Sequence, residues 1–200
     1  MSNELLWQPS ESAIANSALT SLTTVAVAKT GLNLDSYADL HKWSISQPGD
    51  FWSLVWDHLE IIGDKGSISY SPGKNFIDAK FFPESSINIA ENILAQGKDD
   101  EVAIIAIDEA DNRKEITWAQ LRTRSAAVAA ALTDLGVVAG DRVVAWTPNY
   151  AEVIIYALGA LSIGAVVSTS SPDFAPNAVL DRFGQIEPKV LLAAQSYSYN

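Results

Sequence analysis

Short apolar runs alternate with amphipathic stretches through the second half of the chain. Val102–Ile107 is a continuous apolar run followed by a polar turn, which predicts a strand, and a return strand is predicted over 113–116. Thr117 and Gln120 then form a capping-box pair, after which apolar residues recur at spacings of three and four. This pattern predicts an amphipathic helix that ends at Gly136.

The same alternation continues to residue 194. Asn149 and Glu152 have the pattern of a capping box at the start of a helix that Gly164 ends, and a further helix is predicted over 176–185. Buried strands are predicted over 143–146, 165–169 and 190–194. Strands that alternate with helices favour parallel pairing with right-handed crossovers. We therefore predict an α/β fold: a mostly parallel sheet with flanking helices, preceded by a helical, tryptophan-rich amino-terminal segment.

The first half of the chain lacks the regular alternation of strands and helices and is rich in tryptophans and turn residues. Ser36 is placed to cap one helix, and Pro48 to begin a second. A polar, glycine-containing stretch near residues 96–100 indicates a boundary. We predict an amino-terminal helical segment over 1–98 and the start of a second, α/β domain over 99–200.

Composition narrows the classes of partner. The chain is 48% hydrophobic and only 18% charged, which predicts a folded core. Lys and Arg number 13 against 24 Asp and Glu, giving a formal net charge of −11 that repels nucleic-acid phosphates. We predict no nucleic-acid partner. The tryptophans would suit either base stacking or packing between helices, and the negative charge favours packing.

Several kinds of site are absent from the sequence. The chain has no cysteine, which excludes disulfides, thiolate metal sites and a cysteine nucleophile and suits a reducing, cytoplasmic setting. His41 and His58 lack metal-ligand spacing, so no metal site is predicted. The longest apolar run, 153–167, is too short for a bilayer and contains Gly159 and Gly164, so no membrane partner is predicted.

Three loops should meet at the carboxyl edge of the predicted sheet, where ligands bind in open parallel sheets. They are residues 147–149, 170–174 and 195–200. Within the second loop, Asp173 has two possible roles, because it can cap the helix that follows or face a ligand. Neither a G-x-G-x-x-G nor a Walker pattern is present, so no motif identifies a phosphate-binding loop.

The residues of the second loop carry a resemblance to a known family. The loop Ser170–Phe174 and the run Asp181–Leu191 resemble segments of the acetoacetyl-CoA synthetases, a branch of the adenylate-forming acyl-CoA synthetases. Acetyl-CoA synthetases typically have a glycine pair at this loop, so the resemblance favours acetoacetate over acetate. Similar segments follow in family order: Leu6–Ser10, Phe82–Pro83, Asn88–Leu94, Glu115–Leu121, Gly140–Val143 and Leu158–Ala165.

The resemblance implies a two-step ligase that uses ATP, Mg²⁺ and CoA. ATP and acetoacetate would form an acyl-adenylate, and the thiol of CoA would then displace AMP. By the same resemblance, five residues would lie near the CoA nucleotide: Ser171, Pro172, Asp173, Tyr197 and Tyr199. The family's phosphate loop, adenine contacts and catalytic lysine have no match up to Asn200, so no catalytic residue and no metal ligand is assigned in this chain.

Three hypotheses follow. In the first, the chain is the amino-terminal part of an acetoacetate-CoA ligase, with the remainder of the synthetase chain as its partner, and is inactive alone. In the second, it is a stand-alone binding or interaction module that keeps the fold without the chemistry. In the third, the whole enzyme activates another short-chain acid.

Overall fold

The computed structural model describes residues 6–197. These residues form two compact units, with the division between Ile87 and Asn88. The predicted domain division between residues 98 and 99 stays a prediction. None of the helices in the described range is both long and apolar enough to cross a membrane.

The first unit is built on helices whose starts are set by local capping. Ser36 accepts a hydrogen bond from the backbone N–H of Asp39, whose carboxylate bonds back to the N–H of Ser36, so the predicted cap is confirmed. Pro48 stands at the first position of the next helix, where its missing N–H costs nothing. The helices are α1 (Glu11–Ala15), α2 (Ala18–Thr30), α3 (Tyr37–Ser46) and α4 (Pro48–His58).

Short ladders follow these helices in the first unit. A 3-10 helix, Phe76–Asp78, lies between residues 71 and 80, which belong to the two strands of one of these ladders. The strands β1 (Gly63–Asp64) and β4 (Ser86–Ile87) pair antiparallel, as do β2 (Tyr70–Ser71) and β3 (Lys80–Phe81).

Packing accounts for two tryptophans of the first unit. Trp43 is buried in an apolar cluster with Leu40 and Leu54, and its ring meets Phe51 edge-on at a centroid distance of 5.4 Å. Trp56 packs on Phe82 at 4.9 Å. These contacts agree with the packing interpretation of the aromatic residues.

The second unit begins with α5 (Ile89–Leu94) and a hairpin of β5 (Val102–Ile107) and β6 (Arg113–Thr117). The hairpin is antiparallel and stands as a two-stranded sheet of its own among the described strands. The helix α6 (Trp118–Asp134) follows at once, and the reciprocal bonds between Thr117 and Gln120 confirm the predicted capping box.

A three-stranded parallel sheet forms the centre of the second unit. Its order is β8–β7–β9, so the first strand of the three along the chain is central, and the predicted parallel sheet is confirmed. Val143 and Ala145 face the cluster that holds Tyr156 and Ala160, while Val144 faces α8. The remaining elements are β7 (Arg142–Trp146), α7 (Ala151–Ser162), β8 (Val166–Ser170), α8 (Pro176–Gly184) and β9 (Val190–Ala193).

The predicted capping box at the start of α7 is wrong. The N-cap is Tyr150, and no side chain caps the helix. The backbone N–H of Tyr150 bonds to the carbonyl of Pro148, which leaves Asn149 in the preceding turn. Glu152 instead accepts a hydrogen bond from Arg124 of α6 at 2.9 Å, so it ties two helices together.

Charged side chains tie the amino ends of the central strands to neighbouring loops. Asp141 accepts from the backbone N–H of Val138 at 2.8 Å and pairs with Lys189 at 3.0 Å. Lys189 also donates to the carbonyl of Gly136 at the end of α6. Arg142 donates to the carbonyl of Ile186 at 2.7 Å. Residues more than forty positions apart are thereby joined just before β7 and β9.

Asp141 should make stability depend on pH on the acid side. The hydrogen bond from the N–H of Val138, followed by Lys189, lowers the pKa of this carboxyl below its ordinary value. The stabilisation is therefore present above the unfolded-state pKa, about 4, and is lost as the pH falls through the lower folded-state pKa.

We expect Asp141→Asn to unfold more easily than the native chain at pH 7, with the difference shrinking below about pH 4. Urea denaturation from pH 2.5 to 7 measures it, with the exposed Asp134→Asn on α6 as control. A constant difference across that range would contradict the role given to the carboxylate.

Candidate functional site

A cleft of about 600 Å³ lies at the carboxyl edge of the parallel sheet. This volume falls within the range of small-molecule sites. The cleft is formed by the end of β7, the loop after β8 with the first residue of α8, and the segment after β9. Its lining residues are Trp146, Pro172, Asp173, Phe174, Ala175, Pro176, Ala194, Gln195, Ser196 and Tyr197.

The loop after β8 is a tight turn that presents Asp173. The backbone N–H of Phe174 donates to the carbonyl of Ser171, so Pro172 and Asp173 occupy the two central positions. Proline suits the first of these because its ring fixes φ. The hydroxyl of Ser171 donates to Oδ2 of Asp173 at 2.8 Å, and the N–H of Asp173 approaches the same hydroxyl oxygen at 3.3 Å.

Two aromatic contacts hold this turn in place. Nε1 of Trp146, at the end of β7, donates to the carbonyl of Ser171 at 3.1 Å. On the other side, Cζ of Arg182 lies 3.7 Å from the ring centroid of Phe174, the geometry of a cation–π contact. The turn is therefore fixed to both the central strand and α8.

Asp173 does not cap α8, which answers the question that the sequence left open. The N-cap is Ala175, and no side chain bonds to the first turn of the helix. Asp173 lies two residues earlier, inside the turn, and its carboxylate is engaged by Ser171. Capping is therefore excluded as its role, and the exposed carboxylate faces the cleft.

The structure brings together four of the five residues predicted near the CoA nucleotide. Pro172, Asp173 and Tyr197 line the cleft, and the phenol oxygen of Tyr197 lies 3.5 Å from Oδ1 of Asp173. Ser171 does not line the cleft, but its carbonyl accepts from Phe174 and Trp146 and its hydroxyl donates to Asp173, so it holds the turn together. Tyr199 lies outside the described residues.

Trp146 is the site residue that the sequence analysis missed. The predicted edge loop 147–149 contacts the second loop through the N–H of Thr147, which donates to the carbonyl of Ser170 at 3.2 Å, but it does not line the cleft. The signal was a tryptophan as the last residue of a buried strand. In a parallel sheet that position lies at the ligand-bearing edge.

The described residues do not fit a magnesium site. Within residues 6–197, no group of three His, Asp or Glu side chains is placed to hold a metal ion. The sequence likewise lacks a glycine-rich phosphate loop. We therefore assign neither a Mg²⁺ ligand nor an ATP phosphate contact to this part of the chain.

Comparisons with known proteins cover almost the whole chain. The acetoacetyl-coenzyme A synthetase of Rhizobium meliloti (strain 1021) is 38% identical over 196 residues, which is 98% of this chain and 30% of the relative. The acetoacetyl-CoA synthetase of Gallus gallus is 34% identical over all of this chain and 30% of its own length. The chain thus spans about a third of the relatives it matches.

Structure and family comparisons agree. The solved acetoacetyl-CoA synthetase from Streptomyces lividans superposes with a TM-score of 0.88 at 33% identity, over 98% of this chain and 31% of that protein. The family model described as AMP-binding enzyme matches residues 92–199, more than half of the chain and all of the parallel sheet with its cleft. The chain therefore belongs to the AMP-binding enzyme family.

Proposed function

We propose that this chain is the amino-terminal part of an acid–thiol ligase that activates acetoacetate with ATP and transfers the acyl group to CoA. The observation that carries the proposal is the similarity to acetoacetyl-CoA synthetases along 98% of the chain. Residues 1–98 would be the helical segment that precedes the AMP-binding domain, and 99–200 the start of that domain. The remainder of the synthetase would be its partner, in the cytoplasm.

The proposed chemistry has two steps because a carboxylate is a poor acyl donor. A carboxylate oxygen of acetoacetate attacks the α-phosphorus of ATP, and pyrophosphate leaves. The sulfur of CoA then attacks the acyl carbon, loses its proton, and AMP leaves with the electron pair of the broken C–O bond. Mg²⁺ would neutralise phosphate charge in the first step, using ligands from outside the described residues.

The described part of the chain would contribute binding in the second step. We propose that the cleft lies near the CoA nucleotide, with Pro172, Asp173 and Tyr197 lining it and Ser171 fixing the turn. Tyr199 is proposed as a further contact. The placement of Ser171, Pro172, Asp173 and Tyr197 at one sheet edge supports the proposal, since that edge is where ligands bind in α/β proteins.

Acetoacetate-dependent exchange between pyrophosphate and ATP tests the function. We expect exchange by the full-length protein that contains this sequence and none by the 200-residue chain, because the chain lacks a phosphate loop. Acetate, propionate and a sample without acid are the controls. Exchange by the 200-residue chain would refute its inactivity, and a higher kcat/KM for acetate than for acetoacetate would refute the substrate.

A further inference from the structure

We propose that Phe76 and Ile77 form an apolar tip that docks into the part of the same polypeptide that follows Asn200. This docking rests on the proposed function, in which the chain is the amino-terminal part of a longer synthetase. The receiving surface is an apolar pocket with acidic residues at its rim.

The apolar tip is exposed to an unusual degree for such large side chains. Phe76 and Ile77 are 88% and 87% exposed, and they are adjacent in the sequence. Single exposed apolar residues are normal on a protein surface, whereas a contiguous exposed apolar patch marks an interaction site. We therefore expect a further surface to cover both side chains.

Local contacts hold the loop that carries the apolar tip in one shape. Asp78 accepts hydrogen bonds from the backbone N–H and the side-chain amide of Asn75, both at 3.2 Å. The N–H of Ala79 donates to the carbonyl of Phe76 at 3.1 Å. Gly73 lies so close to Asp78 that a Cβ there would be 2.6 Å from its carbonyl carbon. The tip is thus preorganised, which lowers the entropy cost of docking.

Aromatic contacts anchor the base of this loop to α4. The loop joins β2 to β3, where Tyr70 pairs with Phe81. The ring centroid of Phe81 lies 5.1 Å from that of Tyr70 and 6.0 Å from that of Trp52 on α4. The aromatic residues of the hairpin therefore pack within the first unit, whereas the apolar tip is left uncovered by the described residues.

The small size of the apolar tip indicates that its partner belongs to the same polypeptide. Two side chains of this size bury about 400 Å² at most, about half of what each partner contributes to a stable complex of separate proteins. A covalently linked partner needs less area, because its effective concentration reaches the millimolar range. This chain corresponds to 30% of the acetoacetyl-CoA synthetases that it matches, so most of such a protein is available to supply the pocket.

Charge beside the apolar tip indicates the rim of the receiving pocket. Lys74 and Lys80 flank the tip and are both exposed, and Asp78 is the one acidic residue between them. The segment 74–80 is therefore basic in a chain whose formal net charge is −11. Acidic groups around the pocket would complement it. An anionic bilayer would also attract the lysines, but it would repel the rest of the chain.

Tryptic cleavage after Lys74 tests the docking, because this bond lies next to the apolar tip and exposed loop tips are preferred sites of proteolysis. We expect the full-length protein that contains this sequence to be cut there at least about tenfold more slowly than the 200-residue chain, since cleavage follows the population of the undocked tip. Mass spectrometry of the fragments under native conditions measures both rates.

Phe76→Ser combined with Ile77→Ser should remove the protection. In the full-length protein, this double variant should be cut at the rate of the 200-residue chain, where the same changes should have no effect because both side chains are exposed. Phe76→Leu combined with Ile77→Val keeps an apolar tip and is the matched control, which should stay protected. Lys80→Glu should speed cleavage of the full-length protein about threefold at low salt and have less effect at about 1 M NaCl.

Four outcomes would overturn the inference. One is equal cleavage of the native full-length protein and the 200-residue chain, and another is protection that survives the double serine variant. A third is self-association of the 200-residue chain, or its co-flotation with phosphatidylserine and phosphatidylcholine vesicles, that the serine variant abolishes, since the tip would then bind a second copy or a membrane. The fourth needs only the full-length protein: hydroxyl-radical oxidation of Phe76 as fast as in urea.

Failure of this docking and failure of the ligase proposal are distinguishable, because cleavage after Lys74 does not require activation of acetoacetate. Pyrophosphate exchange is measured on the same full-length sample. A protected tip in a protein without exchange would refute the ligase proposal alone. An active protein with an unprotected tip would refute the docking alone.

Discussion

Gly159→Leu is expected to lower the free energy of unfolding by about 3 kcal/mol, because the new side chain has no room. Gly159 is buried on α7, where the helix crosses α6. A Cβ atom there would lie 2.7 Å from the carbonyl oxygen of Ser125 and 2.7 Å from Cβ of Val128. The two helices can accept it only by moving apart.

Urea denaturation of Gly159→Leu measures this effect, and Gly184→Ala is the matched control. Gly184 is also helical, but a Cβ built there meets nothing within 4 Å. Alanine at that position should leave stability unchanged or raise it by up to about 1 kcal/mol, from helix propensity alone. If Gly159→Leu falls within about 1 kcal/mol of the native chain, the close crossing of α6 and α7 is not what Gly159 provides.

The position of Gly159 shows what sequence reasoning could not supply. The periodicity of apolar residues predicted both helices, and the capping box placed the start of α6 at the right residue. The need for glycine depends on which face of α6 packs on α7, and that pairing is not encoded within either helix. A glycine inside a helical pattern is ambiguous until the partner helix is known.

Whether both partners of an interaction lie within one element also separates the correct capping prediction from the incorrect one. The cap of α6 was predictable because both partners lie within one turn. The cap of α7 was not, because Glu152 has a partner on another helix, Arg124, 28 positions away. The hydrogen bonds of Arg142 to Ile186 and of Lys189 to Asp141 also span more than forty residues, so no local sequence pattern predicts them.

The candidate site was predictable in place but not in detail. Alternation of strands and helices located the loop after β8 at the ligand-bearing edge, and the structure places Asp173 and Tyr197 together there. Whether Asp173 capped α8 or faced the cleft depended on the turn that Ser171 closes with Phe174. Trp146 was missed because its role arises from a bond across the sheet, 25 residues along the chain.

Trp146→Ala is expected to cost about 3 kcal/mol of stability and to loosen the turn that carries Asp173. The indole packs with the cluster of Val144, Val179 and Phe183, so truncation leaves a cavity beside the central strand. It also removes the Nε1 bond to the carbonyl of Ser171, one of two aromatic contacts that hold the turn.

Trp146→Phe helps to separate these two contributions, since it keeps an aromatic ring against the apolar cluster and removes the hydrogen bond. We expect it to cost about 1 kcal/mol, the typical net value of one hydrogen bond. Amide hydrogen exchange at Phe174, whose N–H closes the turn, should quicken in both variants, because the carbonyl of Ser171 anchors the turn to β7. Unchanged exchange at Phe174 in Trp146→Phe would mean that the contact of Arg182 with Phe174 holds the turn by itself. Trp146 would then only line the cleft, without anchoring the turn.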